Sequence, residues 1–351
     1  MEAADLPSER GPEFKLRLVT ISCAVVLLNT VAWLWAFVAL GRDPTLLGLA
    51  FVAYGLGLRH AVDADHIAAI DNVTRKLRQS GSRPLSVGFW FAMGHSTVVL
   101  LVAAAVAGTA NLLGKFQGIR EVGGTIGTSV SATFLFAIAA TNTVIFASVY
   151  RTYRRVKNGE PYEDEDLSGF LDGRSWLSRW VRPLFRLVTR SWHMFPLGFA
   201  FGLGFDTATE ITMFSVSATQ AANGASAATI VLLPVLFAAG MSLIDTADGL
   251  LMLGAYEWAF VSPMRKLYYN MTITLISVLV ALVVGGSEAL GLIESKLDGL
   301  VGHAIGALNA NSSGVGFAVI GVFATLWLTS YTIQRLTNPR LEPTSETIRS
   351  T

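Results

Sequence analysis

Long apolar stretches alternate with short polar segments along most of the chain. The composition agrees with this pattern, because 52% of the residues are hydrophobic and only 15% are charged, against about 25% charged residues in soluble domains. Eight stretches approach the ~20 residues that a helix needs to cross a bilayer, and they lie near residues 18–40, 45–70, 85–109, 126–150, 194–221, 227–256, 268–292 and 314–334. We therefore predict an all-α polytopic membrane protein with about eight transmembrane helices in a lipid bilayer.

The positive charges are distributed unevenly between the polar segments. With the amino terminus placed inside, 21 of the 26 lysines and arginines fall on the cytoplasmic side, Arg59 lies within the second span, and only Arg42, Lys115, Arg120 and Lys296 fall outside. This bias predicts cytoplasmic termini by the positive-inside rule. The predicted segments of this multi-pass protein, which we expect in a bacterial cytoplasmic membrane, are a tail (1–17), spans 1–4 (18–150), a charged loop (151–193), spans 5–8 (194–334) and a tail (335–351).

The composition also excludes several classes of protein. A formal net charge of +1 gives no reason to expect a nucleic-acid partner. The single Cys23 excludes a disulfide framework and a thiolate metal cage. Gly114-Lys115 is followed by Phe116 and lacks the earlier glycine of a phosphate-binding loop. We therefore infer no ATP hydrolysis by this chain and no obligatory ATPase subunit.

The second predicted span carries an unusual density of ionisable residues. Each Asp or Arg near the centre of a spanning helix costs roughly 2.5–3.5 kcal/mol, so such groups usually face a cavity, a partner or a substrate path. Imidazole and carboxylate together suit a divalent transition metal, although a polar helix with Arg59 paired to Asp63 is the alternative. The residues are Arg59, His60, Asp63, Asp65 and His66, followed by Asp71.

Helical geometry limits how this motif can bind one ion. At about 100° per residue, Asp63 shares a face with His60 and with His66, but His60, Asp65 and His66 do not share a common face. If these three residues bind one ion, the helix must be broken near His60, as in transporters that build their sites from broken helices.

Three later spans contain further candidate residues. His95 lies in the third span, where a lone histidine in an apolar helix is otherwise a hydrogen-bonded core residue. Asp206 and Glu210 are i and i+4 in the fifth span, and Asp245 and Asp248 are i and i+3 in the sixth, so each pair shares a helix face. Four acids in two apolar spans require a cation or protons nearby. The seventh and eighth spans are interpreted as scaffold.

Two short sequence matches indicate an internal repeat. Residues 54–57 (Tyr-Gly-Leu-Gly) match 201–204 (Phe-Gly-Leu-Gly) at an offset of 147, and residues 91–96 match 237–242 at an offset of 146. Matching segments are three spans apart and so run in opposite directions. The pattern predicts an inverted repeat of spans 2–4 and 5–7, with the site at the repeat interface.

These motifs together resemble the nickel/cobalt transporter (NiCoT) family. Its hallmark, His-x4-Asp-His in the second span, is present at residues 60–66, and the sequence is also similar to the family at 94–96, 203–210 and 245–249. The resemblance implies a permease, not an enzyme, that imports divalent nickel, cobalt or both with high affinity and low capacity. The metal is then the transported substrate, and no prosthetic group is expected.

The resemblance also implies a ligand set. His60, Asp65 and His66 are the implied metal ligands, with Asp63 beside them. The other motifs supply site or pathway residues, which are His95, Asp206, Glu210, Asp245 and Asp248.

The sequence excludes some other functions and leaves two open. A membrane metalloprotease would require His-Glu-x-x-His, which is absent, and a histidine-box oxidase would need more than the five histidines present. Metal efflux and proton-coupled transport of another solute are left open by the sequence, as is the order of preference between nickel and cobalt.

Overall fold

The computed structural model describes residues 12–108, 116–158, 188–204, 208–259, 263–292, 306–307, 311, 313–322 and 325. Within these residues the secondary structure is helical and contains no strand. The helices are α1 (Pro12–Leu40), α2 (Pro44–His60), α3 (Ala64–Gln79), α4 (Val87–Gly108), α5 (Phe116–Lys157), α6 (Met194–Gly202), α7 (Ala208–Ala222), α8 (Ala227–Ala259), α9 (Pro263–Gly291) and α10 (Ser313–Val322).

Five helices, α1, α4, α5, α8 and α9, are long and apolar enough to cross a membrane. Helices α2 and α3 pass the same test as a pair bent by 52°, which makes up to six candidate spans. The fifth predicted span contains the shorter α6 and α7, and part of the eighth is the short α10. The all-α prediction is confirmed for the described residues, whereas eight spans, the inverted repeat and cytoplasmic termini stay predictions. Most of the charged loop and of both tails lies outside the described residues.

Helix α1 lies at the periphery of the bundle and exposes its apolar side chains. Leu27 and Val38 are 64% and 86% exposed, which is favourable where the surroundings are hydrocarbon.

A sharp turn then leads into α2, because Asp43 Oδ1 accepts hydrogen bonds from the backbone N–H groups of Thr45 (2.9 Å) and Leu46 (3.2 Å). Pro44 occupies the first helical position. An aspartate cap followed by proline is a strong helix-start signal.

Helix α8 lies at the centre of the bundle and packs against α1, α2, α3, α4 and α7. Around it, α4 packs against α6, and α5 packs against α9. Phe91 of α4 and Phe237 of α8 are fully buried. The centre also contains buried ionisable residues from α2, α3, α4, α7 and α8, and these define the candidate site.

Glycines allow two pairs of helices in this centre to touch through their backbones. A Cβ atom on Gly57 of α2 would overlap the Phe237 carbonyl of α8, and one on Gly240 of α8 would lie 2.6 Å from the Tyr54 carbonyl oxygen of α2. Such close approach is possible only without a side chain.

The α4–α6 pair is built in the same way. A Cβ atom on Gly198 of α6 would overlap the Phe91 carbonyl of α4, and one on Gly94 of α4 would overlap the Phe195 carbonyl of α6. Small residues at helix interfaces are typical of membrane bundles, where close packing drives association.

Candidate metal centre

The second span is broken at the position that the ligand geometry predicted. Helix α2 ends at His60, and α3 begins at Ala64. Between them Asp63 adopts an extended conformation, with φ −65° and ψ 145°, and its backbone N–H donates to the His60 carbonyl at 2.9 Å. The break changes the direction of the chain by 52°. As a result, His60 and His66 face the same point, which a continuous helix would not permit.

Three buried histidines meet at this break. Their ring centroids are 4.7 Å (His60–His66), 4.8 Å (His60–His95) and 5.0 Å (His66–His95) apart. One nitrogen of each ring lies within 4.8 Å of one nitrogen of both others, and the Nε2 atoms of His60 and His95 are 3.0 Å apart. Side chains from α2, α3 and α4 thus present a compact group of nitrogen donors. We call His60, His66 and His95 the histidine cluster.

The outer nitrogen of His60 is fixed by two neighbours. His60 Nδ1 lies 3.2 Å from Asp63 Oδ2 and 3.1 Å from Thr209 Oγ1. Asp63 is itself held by Ser313, whose hydroxyl donates to Asp63 Oδ1 at 2.5 Å. A carboxylate at Nδ1 favours the tautomer whose proton sits there, so that Nε2 carries the lone pair with which the ring would bind a metal.

His66 is held by an equivalent arrangement from another helix. Its Nδ1 lies 3.3 Å from Asp245 Oδ1 of α8, and both side chains are fully buried. His66 Nε2 has no hydrogen-bond partner among the described residues. Carboxylate–histidine–metal chains are the usual way in which proteins orient a metal ligand, so Asp63 and Asp245 are placed to orient the histidines.

Glu210 of α7 adds an oxygen to the same point. Its Oε1 lies 2.9 Å from His95 Nε2 and 3.9 Å from His60 Nε2. Because Glu210 is only 2% exposed, its charge is shielded from water and strongly favours a nearby cation. The resulting donor set is three imidazole nitrogens and a carboxylate oxygen.

Aromatic side chains enclose the histidine cluster. The Phe91 ring stands perpendicular to that of His66 at 4.8 Å, and the Phe237 ring lies 5.4 Å from that of His60. Both phenylalanines are 0% exposed. They limit the access of water and fix the orientation of the imidazoles.

The structure separates the predicted site residues into groups. It brings His60, His66, His95, Glu210, Asp63 and Asp245 together. Asp65 Oδ1 accepts a hydrogen bond from the His66 backbone N–H at 2.9 Å. This N–H is one of the first four of α3, which have no partner within the helix. Asp248 follows Asp245 by one turn of α8, and Asp206 lies outside the described residues.

Some contacts were not foreseen from the sequence. The seventh and eighth spans were interpreted as scaffold, and this was incomplete because Ser313 of α10 contacts Asp63 and Ser277 of α9 contacts Asp71. In the sequence, Phe91 and Phe237 are recognisable only as members of the repeat. A lone serine or phenylalanine in an apolar span carries no pattern that marks it as part of a site.

The comparisons with known proteins agree with this chemistry. A family model described as NicO, high-affinity nickel-transport protein, matches residues 46–333. The chain is 51% identical over 325 residues to a high-affinity nickel transport protein of Cupriavidus necator, which covers 92% of this chain and 93% of that protein.

Two further relatives have related names. The nickel transporter NicT of Mycobacterium tuberculosis is 45% identical over 325 residues, with 89% of this chain and 87% of that protein covered. The cobalt transport protein NhlF of Rhodococcus rhodochrous is 39% identical over 319 residues, with 89% and 90% covered. No solved structure matches the chain.

The family match confirms the prediction of a transport protein rather than an enzyme, with the metal ion as substrate and no prosthetic group. It extends over most of the chain and includes every motif that carried the resemblance. The chain belongs to the NicO family of high-affinity nickel-transport proteins.

Proposed function

We propose that this protein imports divalent nickel, cobalt or both across the cytoplasmic membrane, and that the histidine cluster is its metal-binding site. The observation that carries the proposal is the convergence of three buried histidine nitrogens within 4.8 Å of one another. The Nε2 atom of His66 is buried without a hydrogen-bond partner among the described residues, and such burial is costly. A cation bound by the three nitrogens would offset this cost.

The proposed ligands are His60, His66, His95 and Glu210. Asp63 and Asp245 act as orienting groups, because each contacts the nitrogen of a histidine that faces away from the cluster. Asp65, implied as a ligand by the resemblance, contributes negative charge beside His66 while one of its oxygens accepts a hydrogen bond from the His66 backbone N–H. Asp206 and Asp248 are proposed as pathway residues.

This donor set favours late first-row metals. Affinity for nitrogen and oxygen sites rises from Mn²⁺ through Fe²⁺ and Co²⁺ to Ni²⁺, so Ni²⁺ and Co²⁺ are preferred over the more abundant early ions. Cu²⁺ and Zn²⁺ must be rejected by geometry.

Import of a dication is supported by the membrane potential. An inside-negative potential of 100 mV supplies about 4.6 kcal/mol for two charges, which is roughly three decades of accumulation. This is sufficient for uptake of a trace metal without ATP. Efflux of the same metal, the alternative direction, would have to work against this gradient.

We propose that the bundle is an inverted repeat of spans 2–4 and 5–7 with both termini cytoplasmic. Two glycine contacts support the inverted repeat. Gly57 packs against the Phe237 carbonyl in the same way as Gly198 packs against the Phe91 carbonyl. Phe91 and Phe237 are also partners in the sequence repeat. The sequence match pairs Gly57 with Gly204, whereas these contacts pair it with Gly198, and we propose the second pairing for this part of the repeat.

The direct test is uptake of radiolabelled nickel and cobalt by bacteria that express the chain, compared with His66→Ala, His95→Ala and His193→Ala. His193 lies in the 3-10 turn Ser191–His193 outside the cluster and is the matched control. We expect accumulation in the wild type and His193→Ala, and loss in the two cluster variants at equal amounts of protein in the membrane.

Two outcomes would overturn parts of the proposal. If cells expressing the wild type held less metal than cells without it, the direction would be efflux. If His66→Ala and His95→Ala accumulated metal at the wild-type rate, the histidine cluster would not be the transport site.

A further inference from the structure

The short helix α10 lies against the broken part of the second span. Its Gly316 is so close to the break that a Cβ atom there would overlap the Val62 carbonyl and lie 3.1 Å from Ile67 Cδ1. Val319, one turn further along α10, belongs to the same buried apolar cluster as Val62 and Ile67. Helix α10 therefore contacts the chain on both sides of Asp63, before it in the break and after it in α3.

This contact covers backbone that is not helical. Ala61, Val62 and Asp63 connect α2 to α3, and all three are buried. At membrane depth, irregular backbone is tolerated only where it is buried in protein or lines a water-filled cavity. The packing of α10 against Val62 thus helps to stabilise the break, on which the shared orientation of His60 and His66 depends.

Helix α10 also contacts the charged side chain of the break. The Ser313 hydroxyl donates to Asp63 Oδ1 at 2.5 Å, and both side chains are buried. A hydrogen bond from a hydroxyl to a carboxylate is short and about twice as strong as one between neutral groups. Ser313 is the first residue of α10, so the carboxylate also lies near the positive end of that helix. Both effects hold the Asp63 carboxylate in place.

The two oxygens of Asp63 connect α10 to the histidine cluster. Oδ1 accepts from Ser313, while Oδ2 lies 3.2 Å from His60 Nδ1. A carboxylate that is held at one oxygen presents the other in a fixed direction. In the proposed site, this direction orients the His60 ring and therefore its metal-facing Nε2. The contacts thus lead from α10 through the break to α2, between residues 250 positions apart in the chain.

We propose that Ser313 is a positioning residue of the metal centre, and that α10 raises the metal affinity by holding Asp63 and the break. This role rests on the proposed function of the histidine cluster. Removing the partner of a metal-bound histidine lowers metal affinity by about 10–100-fold. Ser313 acts one contact further from the metal, so its effect lies at the lower end of this range.

The test is equilibrium dialysis of Ni²⁺ against the purified full chain in detergent. We expect Ser313→Ala, which removes only the hydroxyl, to raise the dissociation constant by about tenfold. Ser129→Ala is the matched control, because the Ser129 hydroxyl donates to the Thr125 carbonyl of its own helix α5. This control should retain the wild-type affinity.

Two variants of equal shape separate the hydrogen bond from packing. Threonine and valine have side chains of similar size, but only threonine has a hydroxyl that can donate to Asp63. Ser313→Thr should therefore bind Ni²⁺ about tenfold more tightly than Ser313→Val. Equal affinities of these two variants would overturn the role of the hydroxyl.

A double-mutant cycle tests whether Ser313 acts through Asp63. In Asp63→Ala the hydroxyl no longer has a carboxylate to hold. Adding Ser313→Ala to Asp63→Ala should therefore change the dissociation constant by less than about twofold. An effect of about tenfold that persists in this background would show that Ser313 acts by another route.

Two glycines of α10 test its packing against the break. Gly316→Ala places a methyl group against the Val62 carbonyl, whereas a Cβ atom on Gly321 meets no described atom within 4 Å. We expect Gly316→Ala to weaken Ni²⁺ binding and Gly321→Ala to retain the wild-type affinity. Equal affinities would overturn this part of the proposal.

The outcomes also separate the positioning role from the proposed function. Wild-type affinity in Ser313→Ala, together with loss of binding in His66→Ala, would overturn the positioning role and leave the histidine cluster as the site. Wild-type affinity in His66→Ala would instead overturn the histidine cluster itself.

Discussion

The Nε2 atoms of His60 and His95 lie 3.0 Å apart, although the residues are on different helices and both are buried. Two imidazole nitrogens at this distance share at most one proton. Because Asp63 contacts Nδ1 of His60, the lone pair of His60 Nε2 points towards His95. In the proposed site, a metal ion bound by both rings would replace the contact between them.

Protons should compete with metal at the histidine cluster. Imidazole must be neutral to bind a metal, and its ordinary titration lies near pH 6.5. We expect Ni²⁺ binding to the purified protein, measured at a fixed free metal concentration, to fall as the pH decreases from about 7 to about 5. Unchanged binding over this range would contradict ligation by histidine.

Removing an orienting carboxylate should weaken metal binding without abolishing it. Asp63→Asn and Asp245→Asn leave the histidines in place but remove the negative charge beside Nδ1 of His60 and of His66. In the proposed site, that charge orients each ring so that its other nitrogen faces the metal. We expect the dissociation constant for Ni²⁺ to rise about 10–100-fold, as measured by equilibrium dialysis. Asp63→Glu should recover part of the affinity and thereby separate a charge effect from misfolding. Affinity equal to wild type in both asparagine variants would rule out the orienting role.

Asp65 provides a test of its negative charge against its hydrogen bond. The amide oxygen of asparagine can accept the same bond from the His66 backbone N–H, so Asp65→Asn should retain the start of α3 and lose only the negative charge. We expect about tenfold weaker Ni²⁺ binding and an unchanged melting temperature in detergent. Complete loss of binding in a folded variant would show that Asp65 is a direct ligand, as the family resemblance implied.

The contact between α2 and α8 should depend on Gly57 and not on the nearby Gly55. A Cβ atom on Gly57 would overlap the Phe237 carbonyl, whereas one on Gly55 meets nothing within 4 Å. Gly57→Ala should therefore destabilise the protein by about 1–3 kcal/mol, the usual cost of overpacking. Gly55→Ala is the control and should be neutral or slightly stabilising. The measurement is thermal unfolding in detergent, and equal melting temperatures for the two variants would contradict the packing described.

The proposed topology predicts which turns are accessible from outside the cell. In a Cys23→Ala background, Arg42→Cys should react with a membrane-impermeant maleimide in intact cells. Ser80→Cys, at the other end of the α2–α3 pair, should react only after the membrane is permeabilised. Labelling with the opposite pattern would place both termini outside.

The sequence alone determined the membrane class, the helical fold and the motifs that carry the chemistry. Apolar runs and charge bias are local properties that arise from the cost of placing polar groups in hydrocarbon, and these need no knowledge of tertiary contacts. The break after His60 could also be predicted from the sequence, because a regular helix cannot direct His60, Asp65 and His66 to one metal ion.

Only the tertiary structure decided which of the candidate residues meet. His95 and Glu210 are separated by 115 residues in the chain, and no periodicity in the sequence reports their contact. The structure also assigned Asp63 and Asp245 to the outer nitrogens of two histidines, and it placed Ser313 and Ser277 against carboxylates. These roles depend on how the helices pack around α8, through backbone contacts at Gly57 and Gly240 that a linear pattern does not encode.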